Sequence, residues 1–230
     1  MIIQLKDTLD SVLNHKQMNK LSTDEYNAIL PQVVVNIQSS IFAQFRKLNF
    51  RKMRFQDTPN YGDEAFYLKQ AVEYFLDEKP IKLDGNGKVD LTESLEDFML
   101  INSVFTGKTQ CEKTDLVVFN KLTRIPKTKP TNCIPVYTLK GNVIKVFPVI
   151  NKVDVTYYRK AKIPKLTSTI VREVEVFDSS AQDFQDIDLH PIMLQAVFVE
   201  LLAYFGINLQ DQFALQMSER LKQEELVKQQ

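Results

Sequence analysis

Tryptophan is absent from this chain of 230 residues, and only two histidines and two cysteines are present. Histidine is the side chain that most often acts as a general acid or base near neutral pH, so few catalytic arrangements are possible. Cys111 and Cys133 are too few for a disulfide framework, and they lack the spacing and the nearby histidine of a zinc site. No carboxylate is matched by a nucleophile or a base at suggestive spacing. The sequence therefore predicts a protein that is not an enzyme and holds no cofactor or metal.

An excess of charge of one sign and a long hydrophobic run are also missing. Lysine plus arginine equals aspartate plus glutamate at 29 each, so the net charge is zero. A protein that binds nucleic acid with its whole surface is usually basic, so only local basic patches remain possible. The beginning of the chain lacks the basic region and apolar run of a signal peptide, and no apolar run reaches the about 18 residues of a membrane span. The composition predicts a soluble intracellular protein with reduced cysteines and no membrane span.

Two short motifs are similar to ligand-binding loops but fail at the decisive positions. Gly107-Lys108-Thr109 matches the end of a phosphate-binding loop, but Asn102 stands where that loop begins with glycine. Residues 84–90 begin like a calcium loop, but Lys88 at the fifth position is a cation where an oxygen ligand is needed. We expect both segments to be surface turns.

Helical patterns occupy the first third of the chain. Ser22 and Glu25 have the spacing of a capping box, and Pro31 is an alternative start of the same helix. Behind the box, apolar residues recur every four positions, at Ile29, Val33, Ile37, Ile41 and Phe45. A second helix is predicted over residues 62–77, with four buried residues: Phe66, Ala71, Tyr74 and Phe75.

The last part of the chain is helical again. Asp188 is the predicted N-cap of a strongly apolar helix, with Pro191 in its first turn and Gly206 at its end. His190 beside it is predicted to have a structural or capping role. A final amphipathic helix is predicted over residues 211–227.

Residues 80–186 carry β-strand signals between these helical parts. Residues 135–164 predict three alternating strands, and Gly141-Asn142 predicts a hairpin turn between the first two. Further strands are predicted over residues 99–105, 116–119 and 170–177, for five to seven strands in all. The predicted fold class is α+β, with the helices of residues 1–79 and 187–230 packed together as a bundle. A β-rich unit of residues 80–186, a sandwich or barrel, is inserted between them.

Basic side chains mark the candidate contact surfaces. The most basic stretch contains Arg46, Lys47, Arg51, Lys52 and Arg54. This stretch is either the solvated end of a helix or a surface that meets an acidic protein or DNA in a channel. Two further sets are candidates for an interface or for a lumen-facing surface: Tyr158, Arg159 and Lys160 after the third strand, and Arg220 and Lys222 on the final helix.

Several short sequence motifs along the chain are similar to those of a known family. They lie at residues 21–27, 89–91, 98–104, 130–131, 135–137, 144–148, 153–160 and 186–191, and at 206–209. Together these phrases resemble those of tail ring proteins of crAss-like bacteriophages, with the best match over residues 89–210. Ala161 departs from the pattern, because a proline often follows the Tyr-Tyr-Arg-Lys phrase.

The resemblance implies a virion structural protein of the head-to-tail connector or adaptor type. It implies a ring of about twelve copies below the portal in a short tail, made in the host cytoplasm and located near the portal vertex. The implied partners are further copies of the chain, the portal protein, other tail ring proteins, and DNA that passes through the lumen without sequence specificity. The residues alone leave an alternative open, a nucleic-acid-binding protein that acts through residues 46–54, which the resemblance would make a phage protein.

Overall fold

The computed structural model describes residues 1–15, 22–54, 62–171 and 174–204 of the chain. Within these ranges α-helices occur together with mostly antiparallel sheets, which confirms the α+β class. By its internal contacts the chain divides into two units. Unit 1 comprises Met1–Val72 and Ala161–Gln230, and unit 2 comprises Glu73–Lys160. The predicted β-rich domain of residues 80–186 is longer than unit 2, because the structure groups residues 161–186 with unit 1.

The elements follow the chain in this order within the described ranges. The α-helices are α1 (Ile2–His15), α2 (Thr23–Arg54), α3 (Gly62–Glu73), α4 (Leu91–Ser94), α5 (Leu116–Arg124) and α6 (Leu194–Tyr204). The strands are β1 (Leu76–Lys82), β2 (Lys88–Asp90), β3 (Phe98–Thr106), β4 (Thr109–Gln110), β5 (Glu112–Lys113), β6 (Val136–Lys140), β7 (Val143–Phe147), β8 (Lys152–Arg159), β9 (Ser168–Val171) and β10 (Val174–Phe177). Short 3₁₀ helices lie at Pro126–Thr128 and Pro191–Met193.

The start of α2 confirms the predicted capping box. The Glu25 backbone N–H donates to Ser22 Oγ at 3.2 Å, and the Ser22 N–H donates to Glu25 Oε2 at 3.0 Å. These bonds satisfy backbone donors that the first turn of a helix leaves without a partner. Pro31 does not begin the helix, since α2 runs from Thr23 through Pro31 to Arg54.

One face of α2 forms part of the core of unit 1. Val33, Ile37 and Ile41 are buried as the four-residue spacing predicts, and Leu30 and Val34 are buried beside them. The opposite face is polar and exposed, with Gln32, Ser39, Ser40 and Gln44. By length and composition alone, Thr23–Leu48 also qualifies as a helix that crosses a membrane. Because Gln32, Ser39, Ser40 and Gln44 are exposed and most of the large aliphatic residues are buried, with Val35 as an exposed exception, we interpret α2 as the core helix of a globular unit.

Polar side chains of α2 bind the second segment of unit 1. Asn27 exchanges two hydrogen bonds with the backbone of Leu166, at 2.7 and 2.8 Å. The Ala161 N–H donates to Gln38 Oε1 at 3.1 Å. Asn36 Nδ2 donates to Glu200 Oε1 on α6 at 3.0 Å. These contacts explain why residues 161–204 belong to the same unit as the N-terminal helices.

Several predicted boundaries and burial assignments of helices and strands are wrong. α3 ends at Glu73, and the turn after it leads into β1. Phe66 and Tyr74 are exposed, whereas Ala71 and Phe75 are buried as predicted. The predicted strand over residues 170–177 is two strands, β9 and β10, which pair as a hairpin.

The helix start near residue 190 also differs from the prediction. Asp188 is buried and its carboxylate accepts a hydrogen bond from the Lys162 N–H at 2.9 Å, so it does not cap the helix. His190 is the cap instead, because its Nδ1 accepts from the Ile192 N–H at 3.3 Å. Pro191 follows in the first turn as predicted.

Unit 2 contains two four-stranded sheets, with strand orders β1-β8-β3-β4 and β2-β7-β6-β5. β6, β7 and β8 confirm the three strands predicted over residues 135–164, and Gly141 has the positive φ of 60° that the turn between the first two requires. Both sheets contribute to one core, with Val153, Val155 and Tyr157 from β8 and Tyr137, Ile144 and Val146 from β6 and β7. The strand predicted over residues 116–119 is wrong, because these residues begin α5.

Candidate interface surfaces

The basic stretch of residues 46–54 forms the second half of α2. Arg46 and Lys47 are exposed on this helix, and Arg51, Lys52 and Arg54 follow in its last turns. Side chains beyond residue 48 of this helix lie outside the described part. Cations near the C-terminal end of a helix interact favourably with its dipole, so this placement fits a solvated helix end. It equally leaves Arg46 and Lys47 accessible to an anionic partner.

Arg159 at the end of β8 packs within unit 2. Its guanidinium lies over the rings of Tyr74 and Phe75, at 5.7 and 5.8 Å from their centroids. Its backbone N–H donates to the Phe75 carbonyl at 2.9 Å. A half-buried cation stacked on two rings holds the chain before β1 against the end of β8. The structure therefore gives Arg159 a packing role inside the unit.

Tyr158 and Lys160 flank Arg159 and differ in exposure. Tyr158 is half-buried, and its hydroxyl donates an exposed hydrogen bond to Asn102 Oδ1 on β3 at 3.3 Å. Burial, with a contribution from the charge of Glu73, raises the pKa of Tyr158. Lys160 is exposed, and its backbone N–H donates to the Asp97 carbonyl at 2.7 Å. Of the three residues predicted here, Lys160 is the one whose side chain is most available to a partner.

Tyr157 joins two carboxylates at the edge of the unit 2 core, a cluster that the sequence analysis missed. Its hydroxyl lies 3.2 Å from Asp97 Oδ1 and 3.5 Å from Asp77 Oδ2. Burial and the charges of both aspartates raise the pKa of the Tyr157 hydroxyl well above its usual value. The group therefore stays protonated at neutral pH and serves as a hydrogen-bond donor, which fits a structural role.

The two cysteines differ in environment. Cys111 is buried in the core of unit 2, and burial raises the pKa of its thiol to about 11. A thiol with so high a pKa is a poor nucleophile at neutral pH. Cys133 is exposed in the loop before β6. Among the described residues no group of three or more histidine, cysteine or acidic side chains could hold a metal ion.

The two loops that are similar to ligand-binding motifs are turns in the structure. Asp84 Oδ1 accepts from the backbone N–H groups of Asn86 and Lys88, at 2.9 and 2.6 Å, so its carboxylate closes the turn between β1 and β2. Gly107 has a positive φ of 62° in the turn between β3 and β4. The prediction of turns is confirmed for residues 84–87 and 107–108, whereas Lys88–Asp90 form β2 and Thr109 begins β4.

The helix α5 presents an exposed surface that the sequence analysis missed. Its buried anchor is Phe119, which the Lys145 ammonium of β7 approaches at 5.4 Å from the ring centroid. The other side of the helix is exposed, with Val117, Lys121 and Arg124 at positions i, i+4 and i+7. In the sequence, the consecutive aliphatic residues at 116–118 favour a strand. In the structure they are exposed and Phe119 is buried, which is the pattern of a helix with one buried side.

Arg220 and Lys222 lie outside the described residues. A comparison of the chain with models of known protein families gave no match, and neither did a comparison with curated protein sequences.

Proposed function

We propose that this chain is a structural protein of a phage virion and forms an oligomeric ring of the tail or head-to-tail connector, below the portal. The observation that supports this most directly is the division of the chain. Two separate segments share unit 1, and one continuous segment between them forms unit 2. The resemblance to tail ring proteins implies the same plan, with helices from both ends of the chain and a β-rich extension between them.

In this proposal α1, α2 and α6 belong to a helical bundle, and unit 2 is the β-rich, sandwich-like insertion. Contacts of α6 with both α1 and α2 support the bundle. The Tyr26 hydroxyl, which donates to the Ile2 carbonyl at 3.4 Å, links α2 with α1. Two sheets that share one core support the sandwich.

A closed ring requires two different and complementary surfaces on every subunit. The distribution of charge along the chain supports such a pair. Residues 116–153 contain seven lysines and arginines and no acidic residue, whereas residues 173–219 contain nine acidic residues and no lysine or arginine. The chain, neutral overall, therefore contains one region that is entirely basic and another that is entirely acidic in its charged residues. In a ring of about twelve copies, the basic region of one copy would face the acidic region of the next.

The position of the ring in a virion defines its other partners. The portal protein and other tail rings would stack above and below it, and DNA would pass through its lumen without sequence-specific contacts.

Mass photometry and negative-stain electron microscopy of the purified chain test this proposal. We expect closed rings of one copy number, near twelve, either for the chain alone or when portal-containing particles are added. A chain that stays monomeric at every concentration, and that is absent from rings in purified particles, would overturn it.

A second candidate function is nucleic-acid binding through residues 46–54. The exposure of Arg46 and Lys47 on α2 favours it, because a helix that carries several cations can follow a phosphate backbone. This function requires salt-dependent DNA binding that is abolished when Arg51, Lys52 and Arg54 are changed.

A further inference from the structure

The exposed side of α5 is an apolar surface surrounded by cations, which we call the α5 face. It consists of Leu116, Val117, Val118, Lys121, Arg124 and Ile125. Val117 is 64% exposed and Ile125 is 49% exposed, although both are large aliphatic residues. Because Phe119 is fully buried on the opposite side, the helix is fixed in the orientation that exposes them. Contiguous exposed aliphatic side chains of this kind mark contact sites on folded proteins.

The cations around the α5 face are not neutralised by acidic side chains of the described part of the chain. No carboxylate of the described residues forms an ion pair with Lys121, Arg124 or Lys127. Lys129 extends the positive region, with its ammonium 5.5 Å from the ring centroid of Phe147 on β7. Residues 116–153 contain no acidic side chain, and the nearest carboxylate before them is the exposed Asp115 at the N-cap of α5.

The composition of the α5 face favours a protein partner over nucleic acid. A phosphate backbone attracts Lys121 and Arg124 but offers nothing to Val117, Val118 and Ile125. Single-stranded nucleic acid is held by aromatic side chains, and the exposed apolar residues of α5 are all aliphatic. An acidic protein surface with its own exposed aliphatic residues complements both the charge and the apolar area.

The chain itself contains a region that combines both features. Residues 174–204 include Asp178, Asp183 and Glu200 and no lysine or arginine, although Asp183 forms an exposed ion pair with Lys165 from outside the region. It also exposes aliphatic residues, at 44% for Val176 and 43% for Val199.

We propose that the α5 face binds the acidic region of residues 174–204 on another copy of this chain. The inference rests on the proposed function, because it assigns one of the two surfaces that join neighbouring subunits of the ring. The contact is head-to-tail: each copy contributes its α5 face to one neighbour and its acidic region to the other. Repetition of one such contact closes into a ring when the rotation between copies permits.

Charge reversal on each side tests the contact. Lys121→Glu with Arg124→Glu reverses the α5 face, and Asp178→Lys with Asp183→Lys reverses the acidic region. Each double variant should weaken self-association at least about tenfold in sedimentation velocity, because like charges then meet across the contact. An equimolar mixture of the two should restore assembly, since every contact in an alternating ring again pairs opposite charges.

Two controls separate this contact from general effects of charge or folding. Lys82→Glu with Lys88→Glu makes the same charge change on exposed strand residues of unit 2 outside the α5 face, and it should leave assembly unchanged. Asp183→Lys alone changes one exposed side chain, which forms an ion pair with the exposed Lys165. This single variant is therefore expected to fold, and it keeps the acidic side testable if the double variant unfolds. Circular dichroism identifies the folded variants.

The outcomes separate the inference from the proposed function. A wild-type chain that associates neither alone nor with portal-containing particles, and that is absent from rings in purified particles, overturns both. If the wild-type chain forms rings and the Lys121→Glu, Arg124→Glu variant assembles equally well, the α5 contact is overturned and the ring proposal stays intact. Failure of the mixture to restore assembly shows that the acidic region is not the partner. Unchanged assembly with loss of binding to a duplex of about 20 base pairs would assign the α5 face to nucleic acid instead.

Discussion

Asn27 on α2 pairs with the backbone of Leu166 as another extended strand would. Its Nδ2 donates to the Leu166 carbonyl at 2.7 Å, and its Oδ1 accepts from the Leu166 N–H at 2.8 Å. Leu166 is buried, so water cannot replace this partner for either backbone group. One amide side chain therefore satisfies a buried segment that lies more than a hundred residues further along the chain.

Asn27→Ala should lower the free energy of unfolding by about 2–3 kcal/mol, because two buried backbone groups lose their partner at once. Chemical denaturation followed by circular dichroism measures the loss. Gln44→Ala is the matched control, since Gln44 is exposed on the same helix and its amide donates to the exposed Ser40. Equal stability of the two variants would show that the Asn27 bonds contribute nothing.

Ser22→Ala should cost about 1 kcal/mol through the loss of the N-cap of α2. The expected signature is a lower unfolding midpoint with an unchanged denaturant slope. Ser39→Ala, at an exposed position inside the same helix, should be neutral or slightly stabilising because alanine favours helix. The prediction is wrong if both serine variants behave alike.

Tyr157→Phe should destabilise unit 2 by about 1–2 kcal/mol, because Asp77 and Asp97 lose the donor between them. Tyr158→Phe is the matched control on the opposite face of the same strand. It removes a hydrogen bond that is exposed to solvent and should cost less than about 0.5 kcal/mol. Thermal unfolding of both variants distinguishes them, and a larger loss for Tyr158→Phe would contradict the prediction.

The two thiols should react at very different rates. At pH 8 a thiol reagent such as Ellman's reagent should modify the exposed Cys133 rapidly and the buried Cys111 only after unfolding. Cys133→Ser should therefore remove the fast phase, whereas Cys111→Ala should leave it unchanged. A fast phase that survives in Cys133→Ser would show that Cys111 is accessible.

The buried environment of Cys111 also predicts that the stability of the protein depends on pH. The pKa of Cys111 rises from an ordinary value of 9.0 to about 11, so the folded state holds this proton more tightly than the unfolded state. This contribution to stability is complete below pH 9 and is lost as the pH rises towards 11. Cys111→Ala should show a smaller decline over that interval in denaturation series. An identical decline in both proteins would contradict the assignment.

DNA binding through residues 46–54 should be weak, independent of sequence and sensitive to salt. Changing Arg51, Lys52 and Arg54 to alanine should reduce the slope of log affinity against log salt by about 0.9 for each phosphate that the variant no longer neutralises. Alanine at Lys82, Lys88 and Lys108, which are exposed in unit 2, is the matched control. Absence of binding by the wild-type chain at low salt would exclude a nucleic-acid function for this stretch.

Local patterns in the sequence predicted the features whose determinants are local. The box of Ser22 and Glu25 needs only residues three apart, and the β6–β7 hairpin needs only alternation around Gly141. The sequence could not reveal that Asp188 accepts from the Lys162 N–H, because this contact depends on tertiary packing. That contact removes Asp188 from the helix start and leaves the cap to His190.

The α5 face was hidden for a similar reason. Leu116, Val117 and Val118 are typical of a strand by type, and a buried strand and a helix cannot be told apart in so short an apolar run. The structure shows a helix in which Phe119 is the buried residue, and the side of α5 opposite Phe119 is therefore exposed. The Tyr157 cluster also requires the structure, since Asp77, Asp97 and Tyr157 come from three separate parts of the sequence.

The division of unit 1 into two segments determines the order in which the protein can fold during synthesis. Unit 2 is continuous, so its residues are all present before Ala161 is added. The apolar face of α2 stays without α6 while more than about a hundred further residues are made, which takes on the order of 5–20 s for each hundred residues. During that interval Val33, Ile37 and Ile41 are available to a chaperone or to another nascent chain. We therefore expect α2 to be the part of the nascent chain that is most exposed to aggregation. Premature association between copies would begin on polysomes, where several nascent chains lie close together.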